Sequence, residues 1–118
     1  MKKLQVRFIN FFIEVPLGPR YEHTSALHLG NIYIFGGYDD ERNCYGDLWT
    51  LNLCNKDLYR NLLFLDKMKW KKITPLKGLF PIPRAGASAQ PIGNKLYLFG
   101  GQGQTEFQDI FVYRISKL

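Results

Sequence analysis

Two histidines, two cysteines and one glycine-rich turn are the residues of this chain best suited to chemistry. His23 and His28 are five positions apart in a stretch that reads as a strand, so their side chains are expected on opposite faces. A shared metal ion is therefore not predicted, and His23 is expected to order a contact between neighbouring sheets instead. Cys44 and Cys54 form no CxxC pair, and we expect two free thiols.

The turn "GGQGQ" at residues 100–104 shares only its glycines with a phosphate-binding loop. Such a loop needs a Lys followed by Ser or Thr and a helix that begins directly afterwards, and neither is present here. No Ser-His-Asp, Cys-His or paired-carboxylate arrangement can be assembled from the remaining residues. The sequence therefore predicts no catalytic residue, no metal site and no cofactor, and we expect a protein that is not an enzyme.

The chain carries a formal net charge of +6, which is distributed unevenly over its 118 residues. Residues 66–84 hold six basic residues and one acidic residue, whereas residues 38–47 hold four acidic residues and one basic residue. The basic stretch "KMKWKK" at 67–72 interleaves an aromatic ring with cations, as nucleic-acid-binding segments do. The alternative, which we favour, is an outer strand whose lysines prevent edge pairing while Trp70 faces inward.

An apolar fraction of 46% is sufficient for one packed domain. The N-terminal segment begins with two lysines, but four polar residues interrupt its apolar run, so a secretory signal is not expected. No segment approaches the length of apolar sequence that crosses a membrane. We therefore expect a soluble protein of the cytoplasm.

The elements that position these residues come in two copies. Pro19-Arg20 corresponds to Pro83-Arg84, and Gly36-Gly37 corresponds to Gly100-Gly101, both at an offset of 64 residues. Between these markers, "LGN-IYIFGG" matches "IGNKLYLFGG", and "GDLWTLNL" later matches "QDIFVYRI". A repeat of this length decides the fold more strongly than local propensity does.

Each copy reads as a series of short strands. The runs "IYIF" (32–35) and "LYLF" (96–99) are continuously apolar, which predicts burial on both faces. Small residues open a first strand at 24–26 and at 87–89, as expected where space narrows toward an axis. Apolar residues at alternate positions predict a third strand with an inner face; they are Trp49, Leu51 and Leu53 in the first copy and Phe111, Tyr113 and Ile115 in the second.

Two polar positions recur beside these strands. The guanidinium groups of Arg20 and Arg84 are expected to donate to loop carbonyls, because each is a rigid fork of N–H donors. Asp47 and Asp109 precede the third strands and are expected to form Asx turns there.

Taken together, these motifs resemble the kelch repeat. That family has an Arg-led first strand, an aromatic residue in a second strand that ends at Gly-Gly, a spaced aromatic residue in the third strand and a Trp in the fourth. The matching residues are Arg20, His23, Tyr33, Gly36, Gly37, Trp49 and Trp70 in the first copy and Arg84, Tyr97, Gly100, Gly101 and Phe111 in the second. The period exceeds the usual ~50 residues, Ala87 replaces the His found at 23, and the second copy has no closing Trp.

The resemblance implies an all-β fold of four-stranded antiparallel β-propeller blades. Residues 1–15 would be an outer strand that completes a blade, 16–75 a first repeat with an insertion at 54–67, and 76–118 a second repeat without its own fourth strand. Propellers have about four to eight blades, so two repeats leave apolar faces without a neighbour. The chain is expected either to be part of a larger propeller, which we favour, or to complete a ring by self-association.

Kelch propellers usually bind their partners through loops at one rim, which lead into the first strand or follow Gly-Gly. The resemblance assigns this role to Tyr21, Glu22, Tyr38, Asp39, Asp40, Ala85, Gly86, Gln102 and Gln104. Tyrosines among acidic residues suit a basic segment of a partner protein. We expect a non-catalytic protein-interaction module. The alternatives are a propeller domain of an enzyme, either copper oxidase-like or regulatory, and nucleic-acid binding through residues 67–72.

Overall fold

The computed structural model describes residues 16–53, 69–74 and 80–115, and these residues form two antiparallel sheets. The first sheet contains, in order, β1 (Thr24–His28), β2 (Asn31–Phe35), β3 (Leu48–Asn52) and β4 (Trp70–Ile73). The second contains β5 (Ser88–Ile92), β6 (Lys95–Phe99) and β7 (Ile110–Arg114). The expected all-β fold of antiparallel propeller-type blades is confirmed. The predicted outer strand at 1–15 and the insertion at 54–67 lie outside the described residues.

The two sheets repeat one strand register. Tyr33 of β2 lies opposite Ala26 and Thr50, and Tyr97 of β6 lies opposite Gln90 and Val112. Phe35 and Phe99 are likewise equivalent, because they lie opposite Leu48 and Ile110. The Gly-Gly pair follows the second strand in both sheets. Local sequence thus builds the same unit twice.

The core lies between the sheets. We call the face that carries Tyr33 or its equivalent Tyr97 the front face of its sheet, and the opposite one the rear face. The front face of the first sheet packs on the rear face of the second through the buried residues Tyr33, Phe35, Leu48, Leu96 and Leu98. Partly buried residues around this cluster include Ala26, Ala87 and Ala89, and also Phe111, Tyr113 and Ile115. The alanines allow β1 and β5 to approach, as the small residues of the first strands predicted.

The prediction of burial on both faces is wrong for the second sheet, and in the first sheet Ile32 and Ile34 of the rear face are only partly buried. Tyr33 and Phe35 are each 5% exposed, whereas Phe99 is 38% exposed. The reason is that no described residue covers the front face of the second sheet. In β3, moreover, Leu48 rather than Trp49 faces the core, and Trp49 lies on the rear face opposite Ile34. Within the described residues no helix is long and apolar enough to cross a membrane.

Candidate interaction rim

The loops proposed for binding meet at one end of the first sheet. β1 begins and β2 ends at this end because the two strands are antiparallel. Tyr21, before β1, and Tyr38, after β2, exchange two backbone hydrogen bonds of 2.9 Å. Their rings lie 5.6 Å apart between centroids, and the Tyr21 side chain is half-exposed. The paired tyrosines form an aromatic surface at the loop tips.

The second sheet repeats this arrangement with polar residues. Ala85 and Gln102 exchange backbone hydrogen bonds of 2.7 and 2.8 Å, as Tyr21 and Tyr38 do in the first. Gln102 and Gln104 are exposed, whereas Ala85 is buried and cannot contact a partner. The second loop therefore presents amides where the first presents aromatic rings.

The two loops form one continuous surface. The N–H of Gly86 donates to the carbonyl of Glu22 at 2.8 Å, and the Glu22 carboxylate lies over Gly86. Glu22 has a φ of +52° at the position where the second repeat has Gly86, with a φ of +70°. A side chain in this left-handed region is uncommon and carries a conformational cost. We call the surface formed by residues 21–22, 38–41, 86, 102 and 104 the rim.

Acidic groups at the rim differ in how they are held. Asp40 accepts a hydrogen bond of 2.7 Å from the Tyr21 hydroxyl, and this bond together with the Asp40 charge raises the pKa of Tyr21. Asp39 accepts the backbone N–H groups of Asn43 and Glu41 at 2.9 Å each. The hydrogen bonds from Asn43 lower the pKa of Asp39. Asp39 therefore orders the loop, whereas Asp40 and Glu41 are exposed.

An Arg–carboxylate clamp supports the rim loops of the first repeat. The Arg20 guanidinium donates to Asp47 at 2.7 and 3.1 Å, to the Gly36 carbonyl at 3.0 Å and to the Leu17 carbonyl. It also lies 4.0 Å from the ring centroid of Tyr45. The predicted contact between Arg20 and loop carbonyls is confirmed. The clamp joins the segment before β1 to the loop between β2 and β3, and these two segments carry the rim residues of the first repeat.

The same clamp recurs in the second repeat, around Arg84. Its guanidinium donates to both carboxylate oxygens of Asp109 and to the carbonyls of Gly100, at 2.9 Å, and Ile82, at 3.0 Å. It lies 3.9 Å from the ring centroid of Phe107. The Arg84 side chain is fully buried, whereas that of Asp109 is 39% exposed.

Sequence reasoning missed this role of the two aspartates. They were predicted to form Asx turns, but Asp47 and Asp109 are the carboxylate partners of the arginines. Burial opposes ionisation of Asp47, yet hydrogen bonds from Arg20 and from the Trp49 indole lower its pKa overall. The hydrogen bonds from Arg84 lower the pKa of Asp109. The signal that could have found the clamp is an Asp at the same position of both repeats.

The remaining predicted residues are distributed elsewhere. His28 contacts the other sheet, since its Nε2 lies within hydrogen-bond distance of the Gly93 carbonyl. His23, for which a contact between the sheets was predicted, is exposed. Cys44 is a free thiol, and Cys54 lies outside the described residues. No group of three or more His, Cys, Asp or Glu side chains in the described ranges could hold a metal ion.

The predicted basic strand at 67–72 overlaps β4 at the edge of the first sheet; Lys69 precedes β4, and residues 67–68 lie outside the described residues. Lys69, Lys71 and Lys72 are exposed, and Trp70 is partly buried. Lys71 lies opposite Thr50 and Lys72 opposite Trp49, so these two lysines are on different faces. This arrangement fits lysines that protect a sheet edge.

Comparisons with known proteins agree with this geometry. A family model for the KLHDC2/KLHL20/DRC7 kelch-repeats domain matches residues 9–118. The chain is 34% identical to human host cell factor 1 over 100 residues, which is 80% of the chain and 4% of that protein. It is 36% identical to human kelch domain-containing protein 3 over 83 residues, 70% of the chain and 18% of that protein. A probable serine/threonine-protein kinase of Dictyostelium discoideum is 36% identical over 86 residues, 72% of the chain and 6% of that protein.

A solved structure of YjhT superposes with a TM-score of 0.59 and 26% sequence identity over 86% of the chain, which is 26% of the YjhT chain. The chain thus spans less than a fifth of each of these curated relatives and about a quarter of the YjhT chain. Kelch repeats generally mediate protein–protein interaction. The repeated register, the Gly-Gly strand ends and these matches establish that the chain belongs to the kelch-repeat family.

Proposed function

We propose that this chain is a non-catalytic protein-interaction module that binds a basic segment of a partner protein through the rim. The observation that carries the proposal is the continuity of the rim. Loops from both repeats are joined by the hydrogen bond from Gly86 to Glu22 and present tyrosine rings beside carboxylates. A partner would meet one surface rather than two separate turns.

Charge supports a basic partner. Glu22, Asp40 and Glu41 are exposed acidic residues of the rim, and Arg42 is the basic residue next to them. The chain as a whole has a net charge of +6, so the rim is acidic against the trend of the molecule. Opposite charges across an interface steer association and select the partner.

The conformation of Glu22 gives separate support. Glycine would occupy its left-handed backbone position without cost, as Gly86 does in the second repeat. A carboxylate is held there nevertheless. Residues with a strained backbone cluster at binding and switch sites. The strain at Glu22 therefore fits a side chain that contacts the partner protein.

A charge-removing variant tests the proposal. Glu22→Gln combined with Asp40→Asn keeps the side-chain shapes and the acceptor for the Tyr21 hydroxyl. The probe is a fluorescein-labelled peptide of alternating Lys, Arg and Gly, with a Glu-Gly peptide as the reference. We expect the variant to bind the basic peptide about two- to thirtyfold more weakly, since two exposed ion pairs are lost and each contributes about 0.2–1 kcal/mol.

The matched control changes the net charge by the same amount, but at the other end of the sheets. Leu29→Lys lies in the β1–β2 turn and is 81% exposed, and Asn94→Lys lies in the equivalent β5–β6 turn. If this control weakens binding of the basic peptide as much as the rim variant does, net charge rather than the rim controls binding, and the proposal is wrong. Equal binding by the unmodified chain and the rim variant would also contradict it.

A second candidate is an interaction segment within an enzyme polypeptide. It is favoured by the relative named a probable serine/threonine-protein kinase of Dictyostelium discoideum, in which the matched region is 6% of the protein. The role of the rim would be the same there, because the catalytic function would lie in the remainder of the polypeptide. The test above therefore applies to both candidates.

A further inference from the structure

The front face of the second sheet is an apolar surface without a described neighbour. Ile92 and Ile110 are each 62% exposed, Val112 is 50% exposed and Phe99 is 38% exposed. They share one face, since Phe99 lies opposite Ile110 and Tyr97 lies opposite Val112. Exposed apolar residues grouped in this way mark an interaction site rather than ordinary surface. We call this surface, formed by Ile92, Tyr97, Phe99, Ile110 and Val112, the open face.

The open face repeats a surface that the chain already uses. Tyr97, Phe99 and Ile110 are equivalent to Tyr33, Phe35 and Leu48 of the first sheet. Those three residues are 5%, 5% and 4% exposed because they pack on the second sheet. Gln90, Lys95 and Arg114 lie on the same face, at the positions of Ala26, Asn31 and Asn52. The open face therefore shares the aromatic and aliphatic residues of the existing blade contact and adds two cations at its border. The surface that fits its apolar part is the rear face of another blade.

The chain itself carries such a surface. The rear face of the first sheet presents Leu27, Ile32, Ile34 and Trp49, which are equivalent to Pro91, Leu96, Leu98 and Phe111. Leu27 is 63% exposed, and Ile32, Ile34 and Trp49 are partly exposed. Ile32, Ile34 and Trp49 thus stand at the positions of Leu96, Leu98 and Phe111, which fill the existing contact between the sheets.

Backbone groups match in the same way. Between the two sheets, Gly37 N–H donates to Arg84 C=O at 3.0 Å, Arg84 N–H to Tyr45 C=O at 3.2 Å and Gly86 N–H to Glu22 C=O at 2.8 Å. The equivalent groups at the proposed contact between two copies form the same three pairs. Gly101 N–H on the side of the open face would donate to Arg20 C=O on the side of the rear face. Arg20 N–H would donate to Phe107 C=O, and Glu22 N–H to Gly86 C=O. Each donor has an acceptor on the opposite side.

We propose that this chain associates head to tail with a second copy, the open face of one copy binding the rear face of the first sheet of the next. The contact repeats the one within the chain, so it is heterologous and can continue until a ring closes. Two to four copies give the roughly four to eight blades of a propeller. The rim shares only backbone groups of Glu22 and Gly86 with these surfaces, and the rim variant changes side chains alone, so this proposal and the proposed function can fail independently.

Complementation between two variants tests the proposal. Ile110→Lys with Val112→Lys blocks the open face, and Ser25→Lys with Leu27→Lys blocks the rear face; all four side chains are exposed, so folding is expected to persist. The control is Leu29→Lys with Asn94→Lys, which adds the same charge in two turns. The measurement is the mass from light scattering at several concentrations, with thermal melting as a check on folding.

The unmodified chain and the control are expected to form multiples of the 13.8 kDa chain. Each blocked variant alone should remain a monomer. An equimolar mixture of the two should form a dimer and nothing larger, because each contributes the one face that the other has kept. A monomeric unmodified chain, or blocked variants that still assemble, would overturn the proposal. A mixture that stays monomeric would also overturn it, because the two faces would then not bind each other.

Discussion

Phe35 and Phe99 stand at the same position of the two sheets, yet Phe35 is 5% exposed and Phe99 is 38% exposed. The strands around them have the same register and end at the same Gly-Gly pair. What differs is the neighbour, because among the described residues only the first sheet has another sheet packed on its front face. The comparison teaches that the repeat encodes a blade and its contact surface together, while exposure depends on what lies next to the blade.

The Gly-Gly glycines offer the strongest way to test this difference. Gly36 and Gly100 both have positive φ, +68° and +59°. A Cβ at Gly36 would collide with the Arg84 carbonyl of the second repeat, whereas one at Gly100 would lie 3.2 Å from the Phe107 carbonyl of its own loop. We expect Gly36→Val to abolish cooperative unfolding and Gly100→Val to cost about 1–3 kcal/mol. Circular dichroism during urea unfolding measures both; equal losses would show that the sheets are not stacked as described.

The two clamps should differ in how well water hydrates the aspartate that remains when the arginine is removed. Asp47 is 17% exposed and Asp109 is 39% exposed, so water can hydrate Asp109 better. Arg20→Met and Arg84→Met are each expected to destabilise the fold by about 3–5 kcal/mol. Adding Asp47→Asn to Arg20→Met should recover about 1 kcal/mol more than adding Asp109→Asn to Arg84→Met. The free energy of unfolding of the four variants decides this, and a larger recovery at Asp109 would contradict it.

Acid should weaken both clamps. The folded-state pKa values of Asp47 and Asp109 are lowered, so their stabilising effect is present above the unfolded-state value of about 3.9 and is lost as pH falls through the folded-state values. Melting temperature is therefore expected to fall below about pH 4. A variant with Asp47→Asn and Asp109→Asn should be less stable at pH 7 and should show a smaller fall between pH 5 and pH 2. If the melting temperature of this variant fell as much as that of the unmodified chain, other carboxylates would control the acid transition.

Lysines in and just before the edge strand β4 should have the smallest effect. Lys69 and Lys71 are exposed, and we expect Lys69→Gln with Lys71→Gln to change the melting temperature by less than about 2 °C. If β4 is a protected edge, affinity for short single-stranded DNA and RNA should also stay the same in filter binding. A marked loss of affinity, with a weaker dependence on salt, would support the nucleic-acid alternative instead.

Most of the fold could be predicted because its signals are local and occur twice. The offset between the Gly-Gly pairs and the apolar runs located β1 to β3 and β5 to β7 within one or two residues. The exposure of Phe99 could not be predicted, because the run "LYLF" contains no information about whether another blade covers it.

The clamp illustrates a second limit of the sequence. Its carbonyl contacts followed from the donors of Arg20 and Arg84, but the pairing with Asp47 and Asp109 joins residues 27 and 25 positions apart. Such distant pairing depends on the completed fold rather than on local propensity. At the rim, similarly, the exposed loop positions were found from the motif, whereas the burial of Ala85 and the loop-ordering bonds of Asp39 depend on three-dimensional contacts.

Amide hydrogen exchange is the most direct test of the central claim that the two repeats are stacked blades and that the described residues cover the front face of the first blade but not that of the second. It is best measured by NMR on the Ile110→Lys, Val112→Lys variant, which is designed to remain a monomer. The amides of Gly37, Arg84 and Gly86 donate across the sheets at 3.0, 3.2 and 2.8 Å, and their equivalents are Gly101, Arg20 and Glu22. We predict exchange at least about tenfold slower for the first member of each pair. Equal rates within the pairs, or slower exchange at Gly101, Arg20 and Glu22, would contradict the stacked arrangement.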